Sequence, residues 1–356
     1  MTQVSERFDA IDGLKAITCL CIVTMHILAN ADYQIGAIYP KIIQWANFVF
    51  MFFIISAFGL CCGYFEKIRN RTENLERFYK RRYHKIFPFF VFLILIDILH
   101  SPSLASVAEG FVEATLAFGF LPNNQLSVMG VAWFLGVIFV FYMLFPFFVF
   151  ILSEKRRACF VFGLSIAIVP CLQQHLFSER FVVESFEPKT NILYCLAFFL
   201  LGGGMYLFKN EIRRFIMTSK IRRTAILLLL LIVTIVYFST PSKIGNFNLT
   251  FYRDIIFLGL CFLCAITFNP KLLGTKLMKF IGSISFEIYL AHMVIYRGIE
   301  KVLGVYPLGN GWFSFIVILC LDLIGTCIFI FVYKKCAGWL AKRNFLLRRG
   351  ICFYAK

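Results

Sequence analysis

The chain has 356 residues, 60% of them hydrophobic, and its formal net charge is +17; soluble domains are nearer to half apolar. The apolar residues form repeated runs of about 20, the length that crosses a bilayer as a helix, and they do not alternate with polar residues as barrel strands do. Basic residues that lie between such runs follow the positive-inside rule, which argues against nucleic-acid binding.

The apolar runs predict an all-α, polytopic transmembrane bundle of about ten spans. They lie at approximately 11–30, 43–64, 86–100, 131–152, 158–174, 190–208, 224–239, 251–268, 282–303 and 312–333. We predict that the first run is a retained helix, because its preface carries acidic as well as basic residues, whereas a signal peptide begins with net positive charge.

The segment 103–121 is also apolar, but it contains Glu109 and Glu113. If this segment does not cross, most of the 36 Lys and Arg residues share one side of the membrane. They then lie in the N-terminus, the loops 65–85, 153–157, 209–223 and 269–279, and the tail 334–356. We therefore predict that both termini are cytoplasmic and that 103–121 is non-spanning or re-entrant on the outer side. Residues 1–335 form the predicted membrane domain, and 336–356 a basic cytoplasmic tail.

The first span carries a lone histidine near its end. One helical face of this span carries Lys15, Cys19, Ile22 and His26, which follow one another at steps of four, three and four residues. Asp12 lies at the base of that face. At a rise of about 1.5 Å per residue, Asp12 and His26 are roughly 21 Å apart. An ionisable group in a span usually faces a cavity or a partner. A helix-packing role for His26, with its ring bonded to a carbonyl, is an equal alternative.

Basic residues cluster where the third span begins. Arg82 and Lys85 are three apart, and Pro88 follows three residues later. Both basic side chains can donate to the phosphates of a nucleotide-like ligand. From these residues alone, an ordinary topogenic or lipid-binding loop is the favoured alternative.

Two further sets of polar residues lie in later spans. Ser285, Tyr289 and His292 share one helical face, where interhelical hydrogen bonding is the alternative role. Trp133 opens its span, as interfacial anchors often do. We find no metal-ligand spacing and no Gly-rich phosphate loop.

Taken in chain order, these motifs resemble the acyltransferase 3 family of integral-membrane O-acyltransferases. The matching segments are Arg7 followed by Asp12-Gly13-Leu14-Lys15 and His26; Phe52–Phe58; Arg82-x-x-Lys85-x-x-Pro88; Trp133-Phe134-Leu135 with Tyr142 and Pro146; and Ser285–His292. Two positions depart from the family pattern: Lys85 replaces a common second arginine, and Ala57 stands where glycine is usual.

The resemblance implies acyl-CoA, most often acetyl-CoA, as the donor substrate, with no permanently bound cofactor. It implies a sugar hydroxyl of a surface glycan, an exopolysaccharide or a lipid-linked glycan as the acceptor. The protein would then be a multi-pass enzyme of the plasma or inner membrane, surrounded by lipid. An oligomer is compatible with the sequence.

The resemblance also suggests roles for the polar residues. We predict His26 as the general base, since it is the first-span side chain suited to proton transfer near neutral pH. Candidate acyl-CoA-binding residues are Arg7, Asp12, Lys15, Arg82 and Lys85. Candidate residues of the acceptor or oxyanion side are Trp133, Ser285, Tyr289 and His292.

A polytopic transporter or glycan-lipid flippase is the alternative function. In that case His26, Asp254 and Asp322 would be proton or substrate sites. Transporters often show inverted repeats with broken helices at matched positions, and the sequence shows no such pairing.

Overall fold

The computed structural model describes residues 8–31, 33–121, 130–177, 187–240, 247–304 and 307–353. Within these ranges the chain forms helices joined by turns and loops, with an isolated bridge between Pro307 and Gly309. The first helices are α1 (Asp9–Ala29), α2 (Tyr39–Ile43), α3 (Val49–Arg69), α4 (Leu75–His100), α5 (Leu104–Ala114), α6 (Trp133–Met143), α7 (Phe145–Leu152) and α8 (Lys155–Ala167). The rest are α9 (Val169–Cys171), α10 (Ile192–Met217), α11 (Lys220–Ser239), α12 (Phe247–Phe268), α13 (Lys276–Ser283), α14 (Ser285–Leu303) and α15 (Trp312–Phe353).

Eight helical stretches of the described chain are long and apolar enough to cross a membrane. They are Asp9–Ala29, Gly36–Arg69, Leu75–His100, Lys155–Leu176, Ile192–Met217, Lys220–Ser239, Leu249–Phe268 and Trp312–Trp339. The count rises to ten if the bent pairs α6–α7 and α13–α14 are each one span. Every predicted span overlaps one of these ten, which confirms the predicted all-α polytopic bundle of about ten spans.

The structure has two helix breaks: one lies within the span predicted at 131–152, and the other lies at the start of the span predicted at 282–303. The axes of α6 and α7 differ by 60° and those of α13 and α14 by 68°. Pro146 lies in the first turn of α7; it has no N–H to bond back into α6, and its ring clashes with a continuing helix. At the second break, the Ser285 hydroxyl donates to the carbonyl of Gly282 at 3.0 Å. This bond satisfies a carbonyl that the break leaves without a helical partner.

The segment 103–121 does not cross, as predicted. It forms α5 of 11 residues and a 3₁₀ turn, Ala117–Phe120. Eleven helical residues extend roughly 16 Å, about half of the hydrocarbon thickness. Ser103 caps α5 by accepting a hydrogen bond from the Ser106 N–H at 3.0 Å. Its location on the outer side stays a prediction.

Two helices are longer than the sequence predicted. α4 begins at Leu75, so the basic residues predicted to lie in a loop are helical. Asn74 caps this helix by accepting from the Arg77 N–H at 3.1 Å, and such caps stabilise a helix start. At the other end of the chain, α15 continues to Phe353. The predicted boundary at residue 335 therefore does not coincide with a helix end.

Close backbone contact joins α3 and α10 through Gly202. A Cβ atom added there would lie 2.2 Å from the carbonyl oxygen of Ile54. Small residues allow membrane helices to approach in this way. The contact favours a role in helix packing for Gly202, the first of three successive glycines at 202–204.

We expect Gly202→Ala to lower the free energy of unfolding by about 1–3 kcal/mol, because the added methyl group forces α3 and α10 apart. Gly204→Ala is the matched control, since no atom lies within 4 Å of its added Cβ. There the change should stabilise the helix by roughly 0.5–1 kcal/mol. Thermal unfolding of both purified variants in one detergent measures the difference. Equal shifts of the melting temperature, with the same sign in Gly202→Ala and Gly204→Ala, would contradict the close contact between α3 and α10.

The helix α11 lies at the periphery of the bundle. Only 6% of its most apolar stretch is buried inside the bundle. Leu228, Leu231 and Ile232 are all more than half exposed. Such a surface is apolar enough to face lipid hydrocarbon.

Candidate functional site

A cavity of about 350 Å³ lies where α1, α3, α4, α6, α13 and α14 meet. Its charged lining residues are Lys15, Arg82, Lys85 and Glu287. The other lining residues are Phe52, Ile55, Ser56, Ile86, Phe134, Leu135, Ile138, Tyr142, Gly282, Ser283, Ser285, Phe286 and Tyr289. The cavity thus combines three cations with an aromatic and aliphatic wall.

Arg82 is oriented by two aromatic rings. Its guanidinium lies 4.8 Å from the ring centroid of Tyr64 and 5.8 Å from that of Phe78. Its buried Nε makes no hydrogen bond within the described part of the chain. A bound anion would satisfy such a donor.

The negative charge of Glu287 is balanced from outside the cavity. Its Oε1 lies 2.6 Å from Nζ of Lys334 on α15. The Lys15 ammonium is likewise 3.0 Å from Asp12. After these pairings, Arg82 and Lys85 leave the cavity with an excess of positive charge. Glu287 lies inside the matched segment Ser285–His292, but its pairing was not evident from the sequence.

The start of α14 adds to this positive potential. Gly282 and Ser283 at the end of α13, and Ser285, Phe286 and Glu287 in the first turn of α14, line the cavity. No side chain caps this helix start. The first N–H groups of a helix lack intrahelical partners, and this end carries a partial positive charge. The bend between α13 and α14 therefore places backbone donors beside the cavity.

An open groove of about 630 Å³ adjoins the cavity at Lys85. Its lining residues are Asn74, Glu76, Arg77, Lys80, Arg81, His84 and Lys85. Lys85 belongs to both linings, so a basic surface leads from the groove to the cavity. An exposed pair joins Lys80 to Glu76 at 2.5 Å. The arrangement suits a ligand with several phosphates on one end and an uncharged arm on the other.

Two histidines lie beyond the cavity. The ring centroids of His26 and His292 are 5.3 Å apart, with the planes inclined at 47°. His292 is fully buried, whereas His26 is partly exposed. The sequence did not predict this contact, because it joins residues 266 positions apart along the chain.

Tyr289 separates the cavity from the histidines. It lines the cavity, and its ring centroid is 6.3 Å from that of His292. Its hydroxyl donates to the carbonyl of Val131 at 2.6 Å. The face of α14 predicted from Ser285, Tyr289 and His292 therefore runs from the cavity wall to the histidine pair.

The face of α1 between Lys15 and His26 does not line the cavity. Cys19 and Ile22 are 0% and 1% exposed, and the Cys19 thiol donates to the carbonyl of Ser285 at 3.3 Å. The middle of α1 thus packs against α14. Of this face, Lys15 reaches the cavity and His26 belongs to the histidine pair.

The structure brings five of the predicted site residues together at the cavity: Lys15, Arg82, Lys85, Ser285 and Tyr289. Asp12 is not in the lining and contacts it through Lys15. Trp133 packs behind the wall against Phe53 and Phe134, with centroids 6.5 and 6.4 Å away. Arg7 lies outside the described residues.

Among the described residues, no group of three or more His, Cys, Asp or Glu side chains is placed to hold a metal ion. The described features are a basic cavity and a pair of adjacent histidines beyond it. The fold and site define a class: polytopic helical membrane proteins with a basic, partly apolar cavity beside intramembrane histidines.

The family model described as "Acyltransferase domain", that of the acyltransferase 3 family, matches residues 8–332. The chain therefore belongs to the acyltransferase 3 family and is a membrane acyltransferase. This match confirms the resemblance drawn from the five sequence motifs. No curated protein and no solved structure in the comparisons matches the chain.

Proposed function

We propose that the protein is an O-acyltransferase that moves an acyl group, with acetyl as the first candidate, from acyl-CoA to a hydroxyl of a cell-surface sugar. The observation that carries the proposal is the basic cavity with its adjoining groove. Within an acyltransferase family, a site with phosphate-binding cations at one end and apolar walls at the other favours acyl-CoA as the donor. The acceptor class rests on the family alone.

In this proposal acyl-CoA occupies both the groove and the cavity. The groove, with Arg77, Lys80 and Arg81, would bind the nucleotide phosphates. Arg82, Lys85 and the start of α14 would bind phosphate oxygens at the cavity mouth. The apolar wall would enclose the pantetheine arm. On the proposed topology this end of the bundle is cytoplasmic, where acyl-CoA is made.

The acceptor would approach from the opposite end, where His26 lies. Lys15 and His26 are 11 residues apart on α1, roughly 16 Å along its axis. His26 would accept the proton of the sugar hydroxyl as its oxygen attacks the thioester carbonyl. The C–S bond then breaks, an ester forms, and the CoA thiolate leaves and takes up a proton. To meet His26, the thioester must pass the ring of Tyr289.

Two candidates for stabilising the oxyanion gain support. Ser285 and Tyr289 line the cavity, and donors aimed at the developing charge contribute strongly to acyl transfer. In this structure the Tyr289 hydroxyl donates to Val131, so it would have to be released first. The packing of Trp133 behind Phe134 favours a supporting role for that residue.

Acetyl-CoA should protect the purified protein against thermal unfolding, because a ligand that binds only the folded state stabilises it. At 100 times the dissociation constant the gain is about 2.7 kcal/mol. Acetyl-pantetheine, which lacks the nucleotide phosphates, is the matched control and should protect far less. A transporter or flippase of lipid-linked glycans should respond to neither compound. Absence of protection by millimolar acetyl-CoA would overturn the donor assignment.

The acceptor is identified by mass spectrometry of surface glycans from cells with and without the gene. We expect one O-acyl substituent to disappear with the gene and to return when the gene is restored. Transfer of labelled acetyl from acetyl-CoA to the purified glycan then tests the reaction directly. Unchanged acylation of every surface glycan would contradict the proposed acceptor class.

A further inference from the structure

We propose that His292 is the positioning residue for His26: a hydrogen bond from the His26 ring to Nε2 of His292 sets which His26 nitrogen acts as the base. This inference rests on the proposed function and adds a defined role to a buried side chain. It explains why two imidazoles lie together in the apolar interior of the bundle, between α1 and α14.

The protonation of His292 follows from its backbone contact. Its Nδ1 lies 3.2 Å from the carbonyl oxygen of Ile288, one helical turn earlier. A carbonyl oxygen can only accept a hydrogen bond, so Nδ1 carries the proton. His292 is fully buried, and burial opposes a second proton and its charge. The ring is therefore neutral, and Nε2 holds a lone pair.

That lone pair has no partner within the described part of the chain. Nε2 of His292 is buried and makes no hydrogen bond there, and leaving a buried acceptor unsatisfied is costly. Of the two rings that face His292, Tyr289 already donates its hydroxyl proton to Val131. Between these two rings, the His26 ring is therefore the one with an N–H that can donate to Nε2.

The separation of the two rings suits such a bond. An N–H···N hydrogen bond of about 3 Å, extended by the radii of two imidazole rings, puts the ring centroids roughly 5 Å apart. The observed distance is 5.3 Å. The structure shows no hydrogen bond between the two rings, so forming it requires the His26 ring to turn toward Nε2.

The bond would define the chemistry of His26. When one ring nitrogen of His26 donates to His292, its other nitrogen is unprotonated and available as a base. Only His26 is partly exposed, so it can meet the acceptor while His292 cannot. As His26 gains a proton during transfer, the bond to His292 becomes charge-assisted and stronger. A base oriented by a third group is a recurrent catalytic arrangement.

The test compares His292→Phe, which keeps a ring but has no acceptor, with His292→Gln, whose amide oxygen restores one. Met293→Leu, a buried neighbour on α14, is the matched control. The protein is assayed in lipid nanodiscs with acetyl-CoA and the acceptor glycan. We expect His292→Phe to lower kcat about 10- to 100-fold, as losses of orienting partners do, with both KM values and the melting temperature nearly unchanged. His292→Gln should recover part of the rate.

Unchanged kcat in His292→Phe, or a His292→Gln variant no faster than His292→Phe, would overturn the proposal. Suppose that one of these results is obtained while His26→Ala abolishes transfer in the same assay. The role of His292 is then contradicted, and the proposed function is not. If wild type transfers no acyl group, the proposed function itself fails.

A measurement on the wild-type protein keeps the proposal testable even if the variants do not fold. The chain has five histidines, so ¹⁵N-histidine labelling gives a spectrum with few signals. We expect one ring protonated at Nδ1 with a hydrogen-bonded Nε2, and this pattern should change in His26→Ala. A His292 ring protonated at Nε2 would contradict the assignment.

Discussion

His26→Ala should lower the rate of acyl transfer by about 10²- to 10⁴-fold, the usual contribution of a general base. In the proposed mechanism this loss affects the chemical step and not donor binding. His26 is not among the residues that line the cavity, so the variant should still be protected thermally by acetyl-CoA. The loss should therefore appear in kcat, measured with labelled acetyl-CoA in nanodiscs, while KM for the donor changes little.

Thr24→Ala is the matched control for that experiment. It removes a polar side chain from the same turn of α1, and the Thr24 hydroxyl donates to the Leu20 carbonyl of its own helix at 2.7 Å. We expect near wild-type activity from it. Full activity of a well-expressed His26→Ala variant would show that another group takes the proton.

Arg82→Gln and Lys85→Gln should each raise KM for acetyl-CoA about 10- to 100-fold. A hydrogen bond to a charged group contributes about 1.5–3 kcal/mol, and 1.4 kcal/mol is a factor of ten in affinity. With saturating donor, kcat should change much less, because in the proposed site these side chains would contact phosphates distant from the reacting carbonyl. Titration of acetyl-CoA binding by calorimetry measures the affinity directly.

Arg69→Gln is the control for general charge effects. Arg69 ends α3, is 50% exposed, and lies 3.7 Å from Glu66, and it lines neither the cavity nor the groove. Its removal should leave donor affinity unchanged. Arg82 also packs on Tyr64 and Phe78, so the melting temperature without ligand must be measured for each variant. Equal donor affinity in Arg82→Gln and Arg69→Gln would remove Arg82 from the donor site.

The sequence predicted the elements of this fold better than their contacts. Apolar runs of about 20 residues identify spans by themselves, because a helix of that length matches the thickness of the hydrocarbon core of a bilayer. Helical periodicity also placed Ser285, Tyr289 and His292 on one face, and the structure has that face running from the cavity to the histidines. Both inferences use residues close together in the chain.

The rest depended on which helices pack together, and no local pattern in one sequence contains that information. His26 meets His292 because α1 packs against α14, and Gly282 on the adjoining α13 allows the backbone of that helix to approach Asp12 closely. The charge of Glu287 is balanced by Lys334, from a helix farther along the chain. A proline such as Pro146 is a known cause of a helix break, whereas Ser283–Ser285 contains no residue that predicts one.

The tyrosine between the cavity and the histidine pair has a consequence for the membrane as a barrier. A protein that admits a hydrophilic, multiply charged compound from one side endangers the ion gradients that the bilayer maintains. Here the space ends at the Tyr289 ring, which is 3% exposed and is tied to the Val131 carbonyl. If the proposed function is right, this aromatic side chain and its neighbours would close the passage in the absence of substrates, and the protein would keep hydrated ions from crossing.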